Sequence, residues 1–191
     1  MKVAIEGLDG SGKTTVACAL CERLKFKYVD KPFNFMYEKI SLTDKQKKDI
    51  EWRLYETKDD TLISLYYSIG ILYACRGIDD RDIIFDRHFA SNYYWHGNEE
   101  NKYLHKKLIE WGGKPDLTIV LLATTKNRIN RLKSRNRNDE DLDNNDMYID
   151  RYDKLISFLI ENNFEFVTVD TNDKKLDLVI DECLEIVQNR R

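Results

Sequence analysis

The sequence predicts one α/β fold, a central parallel sheet flanked by helices in three layers, and three observations lead there. Short apolar runs rich in β-branched residues alternate with longer stretches of helical periodicity. A glycine-rich phosphate-loop pattern lies between the first run and the first helix. The 191 residues, 42% of them hydrophobic, are enough for a single core and tight for two. We therefore expect residues 1–191 to form one domain, with a short lid over about residues 135–147.

The elements follow in order. Val3-Ala4-Ile5 reads as a core strand, and a helix is expected from about Lys13 to Lys25. Lys27-Tyr28-Val29 is a second strand, closed by Lys31-Pro32. Leu62, Leu65, Tyr66, Ile69, Leu72 and Tyr73 carry a helical period through Thr61–Cys75, with Gly77 as a stop signal. Asp82–Asp86 is a strand ending in a carboxylate, and a helix is expected over Asn98–Trp111. Leu117–Leu122 is the strongest buried-strand signal, followed by a helix over Asn127–Ser134. After a polar stretch, Arg135–Asp146, come a helix over Tyr148–Glu161, a strand over Phe164–Val169 and a helix over Leu176–Gln188.

Composition limits the partners. Lys+Arg total 31 against 34 Asp+Glu, a formal net charge of −3, so nothing draws the whole molecule to nucleic acid or a membrane surface. No leader segment and no membrane-spanning apolar run is visible, which makes the cytoplasm the expected location. Cys18 and Cys21 have the spacing of half a redox or zinc site, but no second pair completes it. A homodimer is compatible with the chain.

Gly7-Leu8-Asp9-Gly10-Ser11-Gly12-Lys13-Thr14 satisfies G-x-x-x-x-G-K-S/T in full. Its glycines let consecutive backbone N–H groups turn inward around a phosphate, and the following helix adds its positive end. ATP is the expected ligand of Gly7, Gly10, Ser11, Gly12, Lys13, Thr14 and Thr15, with Lys13 on the β- and γ-phosphates and the Thr14 hydroxyl on Mg²⁺. Asp86, at the end of a strand, is placed as the second acidic group for that ion, and Arg87 beside it suits a second phosphate. A surface salt bridge is the alternative for Asp86 and Arg87, and the loop favours the site. Arg128, Arg131 and Arg135 share a helical face, and Arg137 extends into the polar loop. Arginines closing over a transferring phosphoryl group would stabilise its charge; a solvated helix face is the bland alternative.

These residues resemble the thymidylate kinase family over most of the chain. Ile5–Thr15 is similar to that family's loop, including the acidic residue two places after the first glycine. Asp86-Arg87-His88 with Ser91 resembles its D-R-Y/H-x-x-S segment, and Pro115-Asp116-Leu117-Thr118 its P-D-L-T strand entry. Arg131 and Arg135 fall where that family has two arginines after the proline. The resemblance implies a P-loop kinase fold and transfer of the ATP γ-phosphate to a deoxynucleoside monophosphate, most of all dTMP. It implies that Asp9 holds the acceptor sugar and helps place Arg87, that Arg87 meets the acceptor phosphate, and that Glu6, Thr14 and Asp86 organise Mg²⁺ directly or through water. Gly10 stands where some members carry an arginine, so Arg131, Arg135 and Arg137 of the lid are expected to supply the catalytic charge. Three departures fall together in the acceptor-base pocket: Asp30-Lys31-Pro32-Phe33 for R-E-P-G, no arginine in Leu65–Ile71, and Trp95-His96 for Y-Q. A deoxynucleoside kinase, which phosphorylates a sugar hydroxyl, and a P-loop protein that binds ATP without turnover are the rival readings.

Overall fold

The computed structural model describes residues 1–30, 42–78, 81–135 and 151–191, with only the backbone of Asp44 and Arg135. Among these residues five strands are described, all parallel: β1 (Lys2–Glu6), β2 (Lys27–Val29), β3 (Ile83–Asp86), β4 (Leu117–Leu122) and β5 (Phe166–Asp170), in the spatial order β2-β3-β1-β4-β5. Eight helices are described: α1 (Lys13–Leu24), α2 (Asp44–Glu56), α3 (Asp60–Gly77), α4 (Phe89–His96), α5 (Lys102–Gly112), α6 (Thr125–Arg135), α7 (Tyr152–Glu161) and α8 (Leu176–Gln188). The chain fills one side of β1 with β3 and β2, then crosses to β4 and β5, so the order reverses beside β1 and a crevice opens at the strands' carboxyl ends.

The strand runs are apolar because both sheet faces are covered. Val3, Ile5, Ile84, Ile119 and Leu121 pack with Val16 and Leu20 of α1 and Val179, Ile180 and Val187 of α8. Ala4, Ile83 and Phe85 turn the other way, onto Ala74 of α3 and Ile78, while Val120 joins Phe89, Tyr94, Leu108 and Phe158 on the same side. This period of two along each strand creates the middle layer of three. Removing a fully buried member such as Leu20 by Leu→Ala would cost about 2–5 kcal/mol, transfer and cavity together.

Several boundaries differ from the sequence expectation, each for a local reason. The segment Phe89–His96 forms its own helix, and nearly all its residues are buried, which erases the one-sided pattern a periodicity search needs. Asn98 accepts from the backbone of Glu100 and Asn101, making a turn there, so the next helix begins at Lys102 instead of Asn98. The charged stretch after Thr43 is helical, opened by a capping box in which Thr43 and Gln46 bond each other's backbone. Helix α7 is described from Tyr152, and β5 is shifted to Phe166–Asp170. Arg137, the expected lid and Lys31-Pro32-Phe33 lie outside the described residues. No described helix is long and apolar enough to cross a membrane.

Candidate active site

The phosphate loop leaves β1 at Glu6 and enters α1 at Lys13. Gly10 (φ 81°) and Gly12 (φ 100°) both adopt the left-handed conformation that glycine enters without a Cβ penalty. At Gly10 the requirement is doubled, because a Cβ would stand 2.6 Å from the carbonyl oxygen of Arg128. Helix α6 thus approaches the loop backbone so closely that an arginine at position 10 has no room. Lys13 is buried; its Nζ donates to the Leu8 carbonyl at 2.9 Å and lies 3.5 Å from Asp9 Oδ1. Burial, reinforced by Arg87, pulls this ammonium down to about 8, against the pull of Asp9, Asp86 and Glu6.

Asp9 Oδ1 is also the partner of Arg87, so one carboxylate oxygen stands between the two cations. Burial alone would raise this carboxyl, but the charges of Arg87 and Lys13 outweigh it and hold it well below the ordinary range. Arg87 itself sits at φ 79°, a left-handed backbone worth roughly 1–2 kcal/mol of strain for a non-glycine residue. Its N–H donates to Ile5 O at 3.1 Å, and its guanidinium reaches the Tyr94 hydroxyl at 3.0 Å. Tyr94 is fully buried and lies 3.5 Å from Gly7 O, closing the floor between loop and arginine.

On the other side of Lys13, the Thr14 hydroxyl donates to Asp86 Oδ2 at 2.6 Å, and Tyr28 OH approaches the same oxygen at 3.2 Å. Asp86 Oδ1 is buried and accepts no hydrogen bond from a described residue. A hydroxyl and an orphaned carboxylate oxygen at a phosphate loop fit Mg²⁺, which takes few protein ligands and completes its shell with phosphates and water. No group of three or more His, Cys, Asp or Glu able to hold a metal occurs among the described residues.

Two expected roles change in this geometry. Glu6 was expected to organise Mg²⁺ directly or through water; its oxygens are turned to the start of α4, accepting from the N–H groups of His88 (2.8 Å) and Ser91 (3.2 Å) and from the Ser91 hydroxyl. Complete burial raises its carboxyl to about 7 despite these donors. Arg131 was expected in the lid, yet it lies on α6 and donates to the carbonyls of Gly10 and Ser11 and to Thr171 Oγ1 (2.9 Å) and O (2.5 Å). With Arg128 Nε on Asp9 O at 2.9 Å, it clamps the loop backbone from behind. Only the backbone of Arg135 is described, at the end of α6. Lys13, Asp9, Arg87, Thr14 and Asp86 do come together, while Thr15 is exposed at the start of α1.

Two contributors were not foreseen. Tyr28 on β2 reaches Asp86 across the sheet, a contact no sequence motif marks. Tyr55 on α2 lies within electrostatic reach of Asp9 and Arg87, bonds Tyr67 OH at 3.3 Å and faces His96, whose ring stacks on Tyr67 at 5.7 Å. The capping box at Thr43 was the available signal that a helix would carry Tyr55 there.

Comparison with known proteins bears on the family and the fold. The thymidylate kinase family profile matches residues 5–182. A probable thymidylate kinase of Methanocaldococcus jannaschii is 25% identical over 99% of this chain and 96% of its own length. The thymidylate kinase of Mesomycoplasma hyopneumoniae is 27% identical over 95% of each. Among solved structures, deoxyadenosine kinase from M. mycoides with bound dCTP superposes with a TM-score of 0.64 at 20% identity, covering 99% of this chain and 100% of that one, a likeness of fold.

Proposed function

The chain belongs to the thymidylate kinase family, and from that premise we propose that it transfers the γ-phosphate of ATP to dTMP, giving dTDP and ADP. The observation that carries the reading is the Asp9 oxygen shared by Lys13 and Arg87, which brings two cations together beside the phosphate loop, as a donor and an acceptor phosphate would require. Membership of the family makes the chain an ATP-dependent nucleotide kinase. The substrate pair places two polyanions face to face, and their repulsion must be neutralised before an acceptor oxygen can attack.

The loop of Gly7, Gly10, Ser11, Gly12, Lys13, Thr14 and Thr15 holds the triphosphate. Arg87, steadied by Asp9 and Tyr94, holds the acceptor phosphate in line. Its oxygen attacks the γ-phosphorus as the bond to the β-bridging oxygen breaks and ADP departs. Thr14 and Asp86 would hold Mg²⁺, whose charge would offset that of the phosphates. Arg135 and Arg137 are the remaining candidates for a lid over residues 135–147, since Arg131 is committed to the loop. We place the reaction in the cytoplasm, within one domain and without a nucleic-acid or membrane partner.

The test is radiolabelled ATP offered with a panel of nucleosides and nucleoside monophosphates. Label should pass to dTMP in preference to the others, and Lys13→Ala should lower the rate about a thousandfold or more. Label on a nucleoside, with dTMP untouched, would establish the sugar hydroxyl as the acceptor and reject the proposal.

A further inference from the structure

Helix α4 begins without a cap of its own. His88 stands at its N-cap position, and its side chain makes no hydrogen bond to the first turn. The ring is turned into the core, with Nε2 3.3 Å from Cys75 Sγ and the imidazole set edge-on to Phe85 and Phe89. A helix start normally needs a side-chain oxygen for the N–H of its third residue, which here is Ser91. That oxygen comes from a different element. Glu6 Oε1 accepts from Ser91 N and from His88 N, while Glu6 Oε2 takes the Ser91 hydroxyl. The carboxyl group is fully buried, and its two oxygens take the place of the missing cap.

The residue trapped by this arrangement is Arg87. It is flanked by Asp86, paired in register with Ile5, and by His88, tied to Glu6. Its own N–H is bound by Ile5 O. Two successive backbone N–H groups, those of Arg87 and His88, therefore end on two successive residues of β1, immediately before Gly7 opens the phosphate loop. This explains how a non-glycine residue remains at φ 79°. It also gives a physical reason for the spacing of Glu6, Arg87 and Ser91: the serine lies one helical turn beyond the arginine, where its N–H and O–H both meet the glutamate.

We infer that Glu6 and Ser91 form a positioning clamp, a helix cap supplied from β1 that holds the strained Arg87 turn in the geometry needed to grip the acceptor phosphate. The clamp acts through Arg87 and leaves the phosphate loop's own contacts to ATP unaltered. It rests on the proposal that Arg87 binds the acceptor.

The test is steady-state kinetics of Ser91→Ala, Glu6→Gln and Arg87→Ala, alone and with Ser91→Ala combined with Arg87→Ala. Ser91→Ala should raise KM for the acceptor about tenfold, the loss of one charge-assisted bond, and change KM for ATP less than twofold. Glu6→Gln should be milder, because its amide oxygen still accepts both N–H groups and its NH₂ can donate to a rotated Ser91 hydroxyl. On the Arg87→Ala background, Ser91→Ala should change the acceptor KM no further. Equal damage to both substrates, or an undiminished Ser91 effect without Arg87, would overturn the clamp while leaving the kinase reading intact. An unchanged acceptor KM in Arg87→Ala would instead remove the premise about Arg87, and the clamp with it.

Discussion

At the scale of single residues, the Asp9 carboxylate carries the heaviest duty, because one of its oxygens meets both Lys13 and Arg87. Asp9→Asn would keep the size and remove the charge, leaving buried Lys13 and half-buried Arg87 with no anion between them. We expect the acceptor kcat/KM to fall about a hundredfold, with the protein still folded, as measured by kinetics alongside circular dichroism. Gly10 makes a different kind of contribution. An alanine there meets the Arg128 carbonyl oxygen at 2.6 Å and must hold φ near 81°. Gly10→Ala should cost at least about 2 kcal/mol, a fall of roughly 5 °C in Tm by calorimetry. The loop's residues were legible from their order alone, because the chemistry of cradling a phosphate prescribes them. The tasks of Glu6 and Arg131 were not. A carboxylate at the end of a strand reads the same whether it faces a metal or a helix end, and an arginine at helical spacing reads the same whether it faces solvent or a loop carbonyl.

At the scale of elements, legibility followed exposure. Helix α8 and strand β4 were readable to the residue, since one has a single buried stripe and the other is buried along all but its last residue. Helix α4 was hidden because it is buried on nearly every side. Helix α2 was hidden for the opposite reason, being polar almost throughout, with only its cap to announce it. Helix α3 shows both faces. Ser64, Ser68, Ile71 and Ala74 are buried, whereas Leu62, Leu65, Ile69 and Tyr73, spaced three, four and four apart, are exposed in a row. A contiguous apolar row of this length supports the proposal of a homodimer formed along α3. Ile69→Glu, at a position 53% exposed, should shift the sedimentation coefficient to that of a monomer without lowering helix content. A wild-type protein that sediments as a monomer would reject the dimer.

At the scale of the whole molecule, all three histidines are buried and resist protonation. Burial draws His88 down to about 3 and His96 and His105 to about 4. The unfolded chain takes up these protons near pH 6.5 while the folded chain does not, so stability is lost as pH falls from 6.5 toward 4. Glu6 works the other way. Its folded value of about 7 lies above the ordinary 4.5, so the folded state gains a proton in that window and is relatively favoured as pH falls. Three histidines outweigh one glutamate, a net of about two protons, and urea denaturation near pH 5.5 should show stability declining by roughly 2–3 kcal/mol per pH unit. Glu6→Gln should steepen that decline. The shared oxygen of Asp9 has a last consequence. Lys13 and Arg87 draw on one charge, so any nucleotide that takes hold of either cation alters what the other experiences. By thermodynamic reciprocity, whatever factor ATP imposes on the affinity for the acceptor, the acceptor must impose on the affinity for ATP.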